Sequence, residues 1–140
     1  MGCKGRLRKG IAMNRRLLLS LALGLLASPA LAQEATPVTV QLTAAQITEL
    51  LAGNTTIGTW SGKGYKQYFA TGGMTMYVPD GGQPDQGKWR TNPTTNQYES
   101  WWRMTSWTPY TVVMTNDGYA WVNGDGLEPF KVYQGKQVDW

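Results

Sequence analysis

The chain has no histidine, so acid–base chemistry falls to its carboxylates. A glycoside-cleaving pair needs two of them roughly 5 to 9.5 Å apart across a cleft. Asp80, Asp85, Asp117 and Asp125 sit in glycine-rich turn sequences, where an Asp side chain stabilises the turn itself. Glu99 and Glu128 fall in strand-like runs, and Glu99 shares a strand face with Arg103. Nucleophile pairs of the Ser-His or Cys-His type are excluded, because histidine is absent and Cys3 is the only cysteine. Zinc sites lose their preferred ligands for the same reason. Asn116-Asp117-Gly118 and the run from Asn123 to Glu128 are similar to calcium loops. An EF-hand spacing, however, would place a ligand at Trp121 and its closing Glu further along. Two hairpin turns account for both runs. The residues therefore predict a non-enzymatic protein with no metal and no cofactor.

The other chemistry on offer is aromatic. Seven tryptophans, seven tyrosines and two phenylalanines all lie from Trp60 onward, and most are expected in the core of a small β domain. On the run from Gln97 to Met104, alternation sorts them. Tyr98, Ser100, Trp102 and Met104 share the face expected to be buried. Glu99, Trp101 and Arg103 share the other, so Trp101 is expected to be exposed or half covered. Trp107 stands at the tip of the loop over 105–109. Trp101 and Trp107, with Glu99 and Arg103 beside them, are the candidate ligand-binding residues, suited to an apolar molecule or a sugar face.

These residues must be positioned by strands. Before them, Thr43-Ala44-Ala45-Gln46 fits a capping box, with Leu42 and Ile47 placed for a hydrophobic staple. Ile47, Leu50 and Leu51 make one apolar helical face, and Gly53 suits the left-handed position after a helix ending near Ala52. From Thr55 the period becomes two. Strands are predicted near 55–60, 64–71, 74–79, 86–91, 97–104, 110–115, 119–123 and 127–133, with 137–140 as a short ninth. Gly72-Gly73 and Asp117-Gly118 are hairpin signals, and nothing has the form of a βαβ crossover. The pattern predicts an all-β domain over 42–140: a small antiparallel meander barrel or strongly curved sheet of about eight strands, preceded by one short capping helix. A flexible or strand-like lead-in occupies 33–41.

Residues 13–32 have the form of a secretory signal peptide. Arg15 and Arg16 precede the apolar run over 17–27, and Ala30-Leu31-Ala32 supplies the small-x-small cleavage site, so the exported chain is expected to begin at Gln33. Met13 is an alternative translation start. Removal of 1–32 takes away Cys3 and six basic residues. Seven basic residues then face nine acidic ones, a net charge of −2. That argues against a nucleic-acid partner, which would call for a basic stripe. The apolar run is shorter than the ~20 residues of a membrane span, and no membrane anchor is expected after processing. The expected location is periplasmic or secreted.

One ordered set of motifs resembles a family of small secreted proteins of unknown function, found mostly in alphaproteobacteria. It comprises the run from Leu50 to Gly58, Tyr65, Tyr68-Phe69-Ala70, Gly73, Gly87-Lys88-Trp89-Arg90, Tyr98 and Trp101. The resemblance covers about 42–102 and implies a calycin-like (lipocalin-like) β-barrel. Gly58-Thr59-Trp60 is also similar to the lipocalin start motif, and Gly87-Lys88-Trp89 repeats the spacing. Members often carry a cysteine pair in the second half, which is missing here. The resemblance implies no activity and no catalytic residues.

The leading expectation is a secreted or periplasmic module that uses aromatic side chains to bind a small apolar or glycan ligand or a protein partner. A second is an inhibitor or accessory protein of an envelope or foreign enzyme, with the 105–109 loop making contact. A glycan-acting hydrolase using Glu99 or Glu128 comes third. A cavity would favour the first, a filled barrel with a protruding loop the second, and two convergent carboxylates in a cleft the third.

Overall fold

Thr43 starts the helix as its sequence dictates: its hydroxyl accepts from the Gln46 amide at 3.3 Å, and the Gln46 side chain accepts from the Thr43 amide at 2.9 Å. The structure, a computed structural model, describes residues 37–139. The leader expected over 1–32, the start at Gln33 and the final Trp140 lie outside the described residues. In chain order the elements are β1 (Thr39–Gln41), α1 (Ala44–Leu51), β2 (Asn54–Trp60), β3 (Lys63–Phe69), β4 (Met74–Pro79) and β5 (Asp85–Asn92). There follow β6 (Gln97–Trp101), β7 (Thr108–Tyr110), β8 (Val112–Thr115), β9 (Gly118–Asn123) and β10 (Gly126–Gln134).

The strands form one antiparallel sheet in the order β1-β8-β9-β10-β2-β3-β4-β5-β6-β7, curled into a half-barrel. Most neighbours are joined by short hairpins. The pairing of β10 with β2, Gln134 opposite Asn54 through Phe130 opposite Gly58, joins the two ends of the strand run. β7 pairs with β6 on one flank, and β8 pairs with β1 and β9 on the other. Only Thr111 separates β7 from β8, so the flanks converge there, and the Thr111 carbonyl accepts from Val122 N–H at 3.0 Å.

Period-two alternation decides what faces inward. On β3, Tyr65, Gln67 and Phe69 are buried; on β5, Gly87 and Trp89; on β6, Tyr98 and Ser100. Too short to stand alone, α1 inserts Ile47 and Leu51 among Phe69, Trp89, Tyr98, Val112, Trp121 and Phe130. Leu42 joins that cluster as the expected staple partner. Gly53 takes φ +77° directly after the C-cap Ala52, a conformation that favours glycine.

Several expectations need correction. Ten strands replace the expected eight, because 39–41 pairs with β8 and the run over 110–115 breaks at Thr111. β6 ends at Trp101 instead of continuing to 104. A turn follows, closed by Thr105 N–H donating to the Trp102 carbonyl at 3.0 Å. Alternation therefore stops applying, and Met104, expected in the core, is 91 % exposed. The segment over 137–139 is not a strand. It is tied down instead, with Val138 buried and the Gln137 amide donating to Thr55 Oγ1 at 2.9 Å.

Candidate functional site

The four residues singled out from sequence lie on or near the outer side of β5 and β6, and only three of them are drawn together. Lys88 is opposite Trp101 and Arg90 is opposite Glu99 in the β5–β6 ladder. The Lys88 ammonium lies 5.3 Å from the Trp101 ring centroid, and the Arg90 guanidinium lies 4.0 Å from that of Trp107. Arg90 also forms an ion pair with Glu99, whose other oxygen accepts from Asn92 Nδ2 at 3.1 Å. The hydrogen bonds from Asn92 and Arg90 hold the Glu99 carboxyl below its ordinary pKa. Arg103, expected beside Glu99, is exposed in the turn after β6, because the strand that would have aligned them has ended. Trp101 and Trp107 are half-buried, each with one cationic side chain over its ring.

A different site opens on the concave face. A cavity of about 290 Å³ lies at the end of the half-barrel away from α1. Tyr65 and Gln67 of β3, with Tyr98 and Ser100 of β6, reach it from the core. Trp60, Tyr77, Trp102 and Tyr110 stand half-buried around it, Trp121 lies behind, and Asp85 stands exposed at its edge. Seven aromatic rings therefore line one small cup.

The rings form a connected chain. Trp60 meets Tyr110 edge-on at 5.5 Å between centroids, Tyr110 meets Tyr98 at 6.0 Å, and Tyr98 meets Trp121 at 5.0 Å. Trp121 Nε1–H donates to the Tyr65 hydroxyl at 2.8 Å. Tyr65 stacks on Tyr77 at 5.1 Å, and Tyr77 meets Trp102 edge-on at 6.0 Å. Such stacked and edge-on pairs each add about 0.5–1.5 kcal/mol beyond burial, and together they brace the cup.

Buried polar groups fix the floor. Gln67 Nε2 donates to Thr75 Oγ1 at 2.9 Å and to the Tyr98 hydroxyl at 3.1 Å. Trp102 Nε1–H donates to Ser100 Oγ at 3.2 Å. Burial pushes the Tyr65 phenol up to about 12 and raises Tyr98 further, against the hydrogen bonds they accept. Both therefore stay protonated at neutral pH, as hydroxyls able to donate into the cup. Tyr77 is also raised, first by burial and then by the negative charge of Asp80.

Trp102 keeps its place because β5 carries no side chain beneath it. A Cβ on Gly87 would lie 2.6 Å from Trp102 Cε3 and would also strike the Trp101 carbonyl oxygen. Trp102, expected in the core, is instead a wall of the cup. Trp60, Tyr65, Gln67, Tyr77, Asp85, Tyr110 and Trp121 were missed by sequence reasoning. Their signal was present in part: a polar Gln67 at an inward position between two aromatics, and a G-x-W that ends a strand.

Asp85 is the one carboxylate lining the cup. Glu99 is committed to Arg90 and Asn92, and Glu128 accepts from the Ser61 amide at 2.9 Å and from Asn123 Nδ2 at 3.1 Å. Among the described residues no group of three or more Asp, Glu, His or Cys could hold a metal ion. The two loops similar to calcium sites are the β8–β9 and β9–β10 hairpin turns. No described helix is long and apolar enough to cross a membrane. In comparisons with protein-family models, curated proteins and solved structures, the chain matches none.

Proposed function

We propose that the protein is a non-enzymatic binding module whose ligand site is the aromatic cup, and that it takes a small ring-shaped or compact apolar molecule. The observation that carries this reading is the cavity of about 290 Å³ ringed by seven aromatic side chains. That volume is close to the lower end of ordinary ligand pockets, and a largely apolar lining with a few placed polar groups is their usual character. The cavity supports a small ligand over the inhibitor reading, since the 105–109 loop rests against Arg90 through Trp107. Export to the periplasm or beyond belongs to the same proposal and rests on the leader pattern over 13–32. A calycin-like relationship, and kinship with small secreted alphaproteobacterial proteins, is supported by the half-barrel with one open end and by the ordered motifs over 50–101.

The test is a two-dimensional NMR titration of the indole N–H signals with indole, cyclohexanol and glucose. The signals of Trp60, Trp102 and Trp121 are expected to move together while those of Trp101 and Trp107 stay still. Movement confined to Trp101 and Trp107 would transfer the site to the outer surface and end the cup reading.

A further inference from the structure

We infer that the cup selects a small alkylated ammonium group over neutral molecules of the same shape. This rests on the reading of the cup as a ligand site, and it adds the chemical class. Three observations lead to it: the lining is mostly aromatic, its one acidic member is Asp85, and no basic side chain lines it.

Aromatic faces carry negative potential, and several rings around one cavity attract a cation whose hydration shell has been stripped. A primary ammonium is strongly hydrated and asks for three hydrogen-bond acceptors when buried. A trialkyl or tetraalkyl ammonium asks for few or none, and its methyl groups pack on rings. A cup close to the small end of ligand pockets fits a compact head group of this kind.

The charges around the opening have the matching sign. Asp85 is in register with Tyr77 and so stands on the same strand face. Glu128 is in register with Trp121. Asp80 lies against Gly64, close enough to Tyr77 for its charge to raise the phenol pKa, and Glu128 acts on Tyr65 in the same direction. Lys63, in register with Trp60, is the cation on this face. It is exposed at the end of its hairpin and does not line the cavity. Asp85 lines the cup and Asp80 and Glu128 act on two of its phenols, against Lys63 at its hairpin end and Arg103 in the turn after Trp102. The balance is negative, and a negative field with aromatic walls favours entry of a cation.

The experiment is calorimetric titration of the full chain with choline and with its neutral isostere 3,3-dimethylbutan-1-ol, alongside cyclohexanol and glucose. Choline is expected to bind at least tenfold more tightly than the alcohol. Asp85→Asn is expected to weaken choline several-fold and leave the alcohol unchanged. That variant keeps the acceptor for the Gln86 amide, so the local turn survives. Trp102→Ala is expected to weaken both. Equal binding of choline and the alcohol, or binding of cyclohexanol or glucose without choline, would overturn the cation selectivity and leave the cup as a ligand site. Failure of all four probes to bind would remove the cup reading as well.

Discussion

The two ends of the concave face are built from the same residue types and finished differently. At one end α1 drives Ile47 and Leu51 into the sheet, and Phe69 and Trp89 close around them edge-on at 5.6 Å. At the other, no segment of the described chain enters, and Trp60, Tyr77, Trp102 and Tyr110 are left half-buried around a cavity. The two G-x-W motifs fall on opposite sides of this division. Trp89 is packed in the core and donates its indole N–H to the Ala70 carbonyl at 2.8 Å, while Trp60 stands at the cup. Fully burying a large apolar side chain stabilises a protein by about 1.5–3 kcal/mol, and the open end forgoes part of that at four aromatic positions. One end of the fold therefore carries more of the stability, and the other leaves its aromatic rings partly uncovered.

Truncation at each end is the strongest way to break this contrast. Phe69→Ala, at a fully buried position, should cost about 3–5 kcal/mol, a large part of the roughly 5–15 kcal/mol typical of a whole domain. Trp102→Ala should remain folded, at a cost of about 1–2 kcal/mol, as for other partly buried positions. Chemical denaturation of the two variants decides it. Equal losses would mean the cup is core.

Alkaline titration probes the cup from within. Tyr65 has its folded pKa raised to about 12, so its contribution is complete below the unfolded value near 10 and is lost as pH rises through about 12. The shift corresponds to roughly 3 kcal/mol at most. Stability measured across pH 10–12 should fall more steeply in the wild type than in Tyr65→Phe. Parallel curves would show that the phenol is not sealed in.

Gly87→Ala should cost about 1–3 kcal/mol, in the range of an overpacked site. The new methyl group must displace the Trp102 ring, so near-ultraviolet circular dichroism should change while the far-ultraviolet strand signal persists. An unchanged aromatic spectrum would show that Trp102 does not rest on the glycine.

The smallest effect belongs to the outer surface. Glu99→Gln should cost about 1 kcal/mol at neutral pH, as for other partly exposed ion pairs. Because the Glu99 pKa is lowered in the folded protein, the difference from wild type should be full above the ordinary carboxylate pKa. It should shrink as pH falls through the lowered value. A gap that persists in strong acid would rule out the ion pair as its source.

Local chemistry made part of this legible in the sequence. Thr43, Gln46 and Gly53 announce the helix and its end because capping is settled within a few residues. The runs at 74–78 and 119–122 were legible as strands, although Thr75 and Met76, like Ala120 and Trp121, are buried side by side instead of alternating. The turn after Trp101 was not legible, because Trp102-Arg103-Met104 contains no glycine, proline or asparagine to mark it. Nor was the break at Thr111, which arises because the two halves of 108–115 have different partners. The cup was hidden for the same reason. Its lining comes from β2, β3, β4, β5, β6, β7 and β9 with the turn at Trp102, and those segments meet only through the register of the whole sheet. The outer Trp101 and Trp107 were conspicuous on one strand and its loop, and the structure sets one cation over each ring.

The pairing of β2 with β10 also governs how quickly the native state can be reached. Thr55 Oγ1 donates to the Gly135 carbonyl at 2.7 Å across a sequence separation of 80, whereas most other strand pairs are hairpins that close locally. The chain can zip the meander from β2 to β6 early. It must then bring β10 back across the domain, spending loop entropy before that contact returns anything. A closing contact of such separation makes folding slower than it would be for a chain of local hairpins alone. Until β10 arrives, β2 is an open strand edge, so the clasp formed by Thr55, Gly135 and Gln137 also ends the interval in which the chain can pair with the wrong neighbour.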